Sequence, residues 1–75
     1  MGINIRGIEF DTAGEAIQYT DASGTGVAIS VGGRRFVVEQ AEADRLASAG
    51  VEFAYLVDHE MTDGSLRVMT IPVNG

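Results

Sequence analysis

Asp58-His59-Glu60, followed by Asp63, is the densest set of potential ligands in this 75-residue chain. Carboxylates and an imidazole together can bind Zn, Mn or Fe. A histidine also titrates near neutrality, where it can serve as a general base. The spacing attaches a condition to that chemistry. In an extended strand Asp58 and Glu60 face one way and His59 the other, so convergence requires the strand to end near Asp58 and the loop to curl. Without the curl these are solvated charges at a hairpin end, where they limit edge pairing.

The remaining motifs are weaker. Asp21, Ser23 and Thr25 with Gly26 match the first positions of a calcium loop, but the twelfth position is Gly32 instead of a bidentate Glu. A polar turn between strands accounts for the same letters. Asp11-Thr12-Ala13-Gly14 matches a nucleotide-switch motif in letters only, because the phosphate-cradling loop and its lysine are missing. Arg34-Arg35 beside Phe36 could grip an anion, yet neighbouring strand residues point to opposite faces and form no joint patch. Glu42 falls on the apolar arc of a helix; edge exposure is expected, since a buried carboxylate would need an arginine partner. Tyr19 and Tyr55 read as strand aromatics whose hydroxyls can reach a pocket or interface. His59 is the only histidine and no Gly-x-Ser-x-Gly elbow exists, so no nucleophile–base–orienter set is legible.

Composition narrows the field further. Eleven acidic residues against five basic ones give a net charge of −6. That balance opposes contact with nucleic-acid phosphate and with anionic membrane surfaces. All the basic residues are arginine, which excludes Schiff-base and P-loop lysine chemistry. The absence of cysteine excludes disulfides and thiolate sites. The longest uncharged stretch, residues 22–33, is too short and too rich in glycine and serine for a membrane span. No secretory signal opens the chain, and Arg6 occupies the position that a myristoylation motif gives to Ser or Thr. These features suit a cytoplasmic, bacterial-type protein.

Turn chemistry at residues 11–14, 21–24, 32–33 and 62–64 divides the chain. The runs between read as strands over residues 3–10, 15–20, 26–31, 34–38, 51–59 and 65–73. Ile3 and Ile5 share one face and Ile8 and Phe10 the other, which places a bulge at Gly7; burial on both sides is the alternative. Residues 39–49 are rich in helix formers, with Gly50 as the residue that closes the helix. The prediction is an α+β fold: a mostly antiparallel sheet of about six strands with one helix, ordered β-β-β-β-α-β-β, in a single domain over residues 1–75.

The C-terminal hairpin is apolar on both faces at mid-strand, whereas a strand with one wet face alternates. One short helix can cover only one face. The second cover is either the N-terminal hairpins or another copy of the chain, and so small a domain favours the copy. The function expected is a small non-catalytic binding module that self-associates through this hairpin, most simply as a two-fold homodimer. Phe53, Tyr55, Leu56, Val68, Met69 and Ile71 form the expected interface. Two alternatives stand beside it: an acidic, antitoxin-like inhibitor of a basic protein, and a metal-binding domain or metal-assisted enzyme using Asp58, His59, Glu60 and Asp63. No cofactor is implied. The expected partners are a second copy and a further protein, with no nucleic acid and no membrane.

Overall fold

The computed structural model describes residues 4–75. Its elements run β1 (Gly7–Phe10), α1 (Ala13–Ser23), β2 (Val27–Val31), β3 (Arg34–Val38), α2 (Gln40–Ser48), β4 (Phe53–Glu60) and β5 (Leu66–Val73). The fold is α+β, with one five-stranded antiparallel sheet in the order β1-β3-β2-β4-β5.

The expected strand over residues 15–20 is instead the middle of α1. Thr12 caps that helix: its Oγ1 accepts from the Glu15 N–H at 3.2 Å and donates to Glu15 Oε1 at 3.1 Å. The Thr-x-x-Glu spacing is that of a capping box, here with the Glu15 carboxylate taking the Thr12 hydroxyl instead of its backbone N–H, and the cap satisfies a donor that the first turn leaves free. Gly24, with φ of 69°, closes the far end by donating its N–H to the Thr20 carbonyl. Asp21 and Ser23 therefore belong to the last turn of a helix, and no inter-strand or calcium-type loop forms there.

Helix α2 matches its expected position closely. Gly50 N–H bonds to the Ala47 carbonyl and Val51 N–H to that of Leu46, the paired bonds of a Schellman ending. Between β2 and β3, Gly32 and Gly33 both take positive φ (55° and 83°), as a two-residue hairpin turn requires.

The two helices lie on opposite faces of the sheet. Ala43 and Leu46 of α2 pack with Ile29, Phe36, Val38 and Phe53. Ala16 and Ile17 of α1 pack with Ala28, Val37 and Leu56, which alternate with the first set along the strands. Connectivity explains this. β1-α1-β2 crosses over β3, and β3-α2-β4 crosses over β2, in the same direction along the sheet but with the strands reversed. Crossovers of one hand then place their helices on opposite faces. Ile29 and Leu46 are wholly buried on the α2 side, each contributing about 1.5–3 kcal/mol by leaving water.

The bulge expected at Gly7 is absent. β1 pairs one-to-one with β3 from Gly7↔Val38 to Phe10↔Arg35. Ile5 packs into the α2-side core and Phe10 into the α1-side core, so apolar residues of both parities serve a sheet covered on both sides. Ile3 lies outside the described residues. Glycine at position 7 answers a different need, since a Cβ there would sit 2.5 Å from the Val37 carbonyl oxygen and 2.6 Å from Val38 Cγ1.

Candidate functional site

Beyond the helices the sheet narrows to a ribbon. β2 pairs with β4 only at Ile29↔Tyr55 and Ser30↔Ala54, whereas β4 and β5 stay paired from Phe53↔Val73 to Glu60↔Leu66. The far half of the hairpin thus extends past the third strand, in a molecule measuring 43 × 25 × 20 Å. A two-stranded ribbon alone is marginal in water.

Its tip is a compact turn. Met61 N–H donates to the Ser65 carbonyl at 2.7 Å, and Gly64 N–H to that of Met61 at 3.0 Å. Asp63 Oδ1 accepts from both the Ser65 hydroxyl (2.6 Å) and the Ser65 N–H (2.9 Å). Those two bonds, the hydroxyl first, hold the Asp63 carboxyl below its ordinary range. Asp63 is thereby engaged as a turn residue.

The sequence-derived ligand cluster does not come together. β4 continues through Glu60, so Asp58 and Glu60 lie on the α1 side opposite Val68 and Leu66, and His59 lies on the α2 side opposite Arg67. Among the described residues, no three histidine or carboxylate side chains are placed to hold a metal ion.

The expected interface residues divide by depth. Phe53 and Leu56 are buried inside the subunit, one in each core. Tyr55 is half-buried, with its hydroxyl accepting from Gln40 Nε2 at 3.1 Å and its ring edge-on to Phe53. Val68, Met69 and Ile71 are 43%, 48% and 53% exposed. Two residues that the sequence reading omitted join them: Leu66 at 65% and Val57 at 37%. Alternation sorts these side chains. Val57, Met69 and Ile71 lie on the α2 side; Leu66 and Val68 lie on the α1 side. Single exposed apolar residues are ordinary, but these are neighbours on the paired strands β4 and β5.

Two ion pairs among the described residues lie elsewhere. Arg34 grips Glu9 through both carboxylate oxygens (2.7 and 2.9 Å) and its guanidinium lies 5.3 Å from the Phe36 ring centre. That bond keeps the Glu9 carboxyl below its usual range. Arg35 turns to the other face and donates to the Gly33 carbonyl, so the two arginines share no anion patch.

Glu42 corrects an expectation, being 8% exposed instead of lying at a wet edge. Arg45 binds both of its oxygens at 2.8 Å, and the Arg6 N–H reaches Oε2 at 2.9 Å. Arg45 also donates to the Asn4 carbonyl, so the pair fastens residues 4–6 to α2. The Arg45 guanidinium, then the Arg6 N–H, lowers the Glu42 pKa to about 2. With its oxygens occupied and its proton affinity so low, Glu42 is a poor base near neutrality. An open groove of about 910 Å³ runs past this clasp, lined in part by Arg6, Tyr19, Thr25 and Gln40. These lining side chains include no histidine, serine or cysteine for nucleophilic work.

No helix among the described residues is long and apolar enough to cross a membrane. No protein-family model, curated protein or solved structure matches the chain.

Proposed function

We propose that this protein is a small non-catalytic binding module that joins a second copy of itself through the C-terminal hairpin. One observation carries the reading: β5 runs for eight residues at the edge of the sheet with apolar side chains exposed on both faces. Helix α1 supplies the second cover over Leu56, so the centre of the sheet needs no partner. The need for a cover persists on the outer hairpin, where Val57, Leu66, Val68, Met69 and Ile71 stay exposed. The assembled hairpins would then offer their remaining apolar surface to a further protein. Light scattering after size exclusion tests the assembly: a particle of twice the 7.9 kDa chain mass is expected. A 7.9 kDa particle at tens of micromolar would remove the interface and the binding role with it.

The net charge of −6 supports a second reading, an acidic inhibitor steered onto a basic protein. Its mark is an association rate that falls steeply as salt is added.

A further inference from the structure

We infer that two copies join edge to edge, with β5 of one lying antiparallel to β5 of the other, so that their two five-stranded sheets become one. This inference rests on the self-association proposed above and specifies its geometry.

The backbone phase identifies the free groups. Met61 N–H bonds to the Ser65 carbonyl, so Ser65 turns its backbone toward β4. Alternation carries that phase along the strand: Arg67, Met69, Ile71 and Val73 also face β4. Leu66, Val68, Thr70 and Pro72 therefore turn their backbones outward, where no strand among the described residues meets them. Pro72 fits this phase, because a proline has no N–H to give β4 and is tolerated on the outward side of an edge.

The other free edges are protected. β1 is only four residues long and carries Glu9, paired with Arg34. β4 beyond Tyr55 carries Asp58 and Glu60. β5 has no acidic residue at all; its only charge is Arg67, and Pro72 blocks only its far end. Natural edges are usually short or guarded by charges. β5 is twice the length of β1, and from Leu66 to Thr70 it carries a single charge, Arg67.

Charge and symmetry point to a second copy as the occupant. Each copy carries −6, so two copies repel least along a strand without acids; β5 has none, and the nearest, Asp58 and Glu60, lie one strand further in. An antiparallel strand pair is self-complementary about a two-fold axis. An axis at Val68 sets Leu66 against the partner's Thr70, and leaves Pro72 outside the paired stretch. The N–H groups of Leu66, Val68 and Thr70 then all find carbonyls. Stacking ribbon on ribbon would cover only one apolar face. Edge pairing gives neighbours to Leu66 and Val68 on one side and to Met69 on the other, and it keeps both α2 helices on one face of the joined sheet.

Sedimentation of the parent and three variants at tens of micromolar tests the geometry. Val68→Pro removes an outward N–H and no bond to β4; Thr70→Pro does the same at a second position. Met69→Glu with Ile71→Glu charges the α2-side face. Edge pairing predicts twice the chain mass for the parent, and a single-chain mass for both proline variants with unchanged circular dichroism. Proline variants that stay double while the glutamate variant separates would overturn edge pairing and leave self-association standing, through stacked faces. A parent of single-chain mass would overturn both.

Discussion

Replacing Leu56 with alanine tests whether α1 and the sheet share a real core. Leu56 is 7% exposed and packs among Ala16, Ile17, Ala28 and Val37, with Phe10 and Ala13 alongside. Its neighbours include several alanines, so few other large side chains fill this layer. The truncation removes the equivalent of three methylenes, at about 0.8 kcal/mol each. A residual cavity adds to this, and leucine-to-alanine changes in cores cost roughly 2–5 kcal/mol in all. We expect about 3 kcal/mol here, the site lying near an open flank of the sheet. A 75-residue domain has a total stability of about 4–11 kcal/mol, so much of it would go. Urea unfolding followed by circular dichroism is the assay, at a fixed chain concentration because association would add stability. With a slope of about 1 kcal/mol per molar urea, the midpoint should fall by roughly 3 M. Val57→Ala is the internal control: one residue along, on the opposite face and 37% exposed, it should cost less than about 1 kcal/mol in the monomer. A Leu56→Ala variant within about 0.5 kcal/mol of the parent would refute the two-sided core.

Two further predictions concern the scaffold. Gly7→Ala drives a Cβ against the Val37 carbonyl and Val38 Cγ1, and should cost about 1–3 kcal/mol, lowering the midpoint of a thermal scan by several degrees; an unchanged midpoint would show that β1 can shift freely. Glu42 is held near pKa 2 when folded, below the roughly 4.3 of a free glutamate, so its contribution is complete above that free value and is lost as pH falls through about 2. Urea midpoints at pH 6, 4 and 3 should decline less steeply in Glu42→Gln than in the parent, and parallel declines would contradict the clasp.

The parts of this fold that were legible in the sequence are those determined locally. Gly32-Gly33 marked its turn because consecutive positive φ angles favour glycine. The α2 ending was legible in Gly50, and the hairpin in its two-sided apolar alternation. Helix α1 was missed because Ile17, Tyr19 and Thr20 favour strands, and that preference outweighed the capping signal of Thr12 and Glu15. The spacing of Ala13, Ala16 and Ile17 was a second signal for the helix. Glu42 was beyond local reading, since its contacts come from Arg6, 36 positions away, and from Arg45, which is itself fixed by the Asn4 carbonyl. The need for a second cover was inferred correctly from the alternation, but α1 meets it over the sheet centre. Only the exposed length of the ribbon retains that need.

Backbone amide exchange, read residue by residue by NMR across a dilution series, tests the paired edge most directly. Leu66, Val68 and Thr70 should be slow to exchange in concentrated solution and become fast on dilution, while Met69 and Ile71, bonded to β4, stay comparatively protected throughout. Rapid exchange at Leu66, Val68 and Thr70 at every concentration would contradict the account.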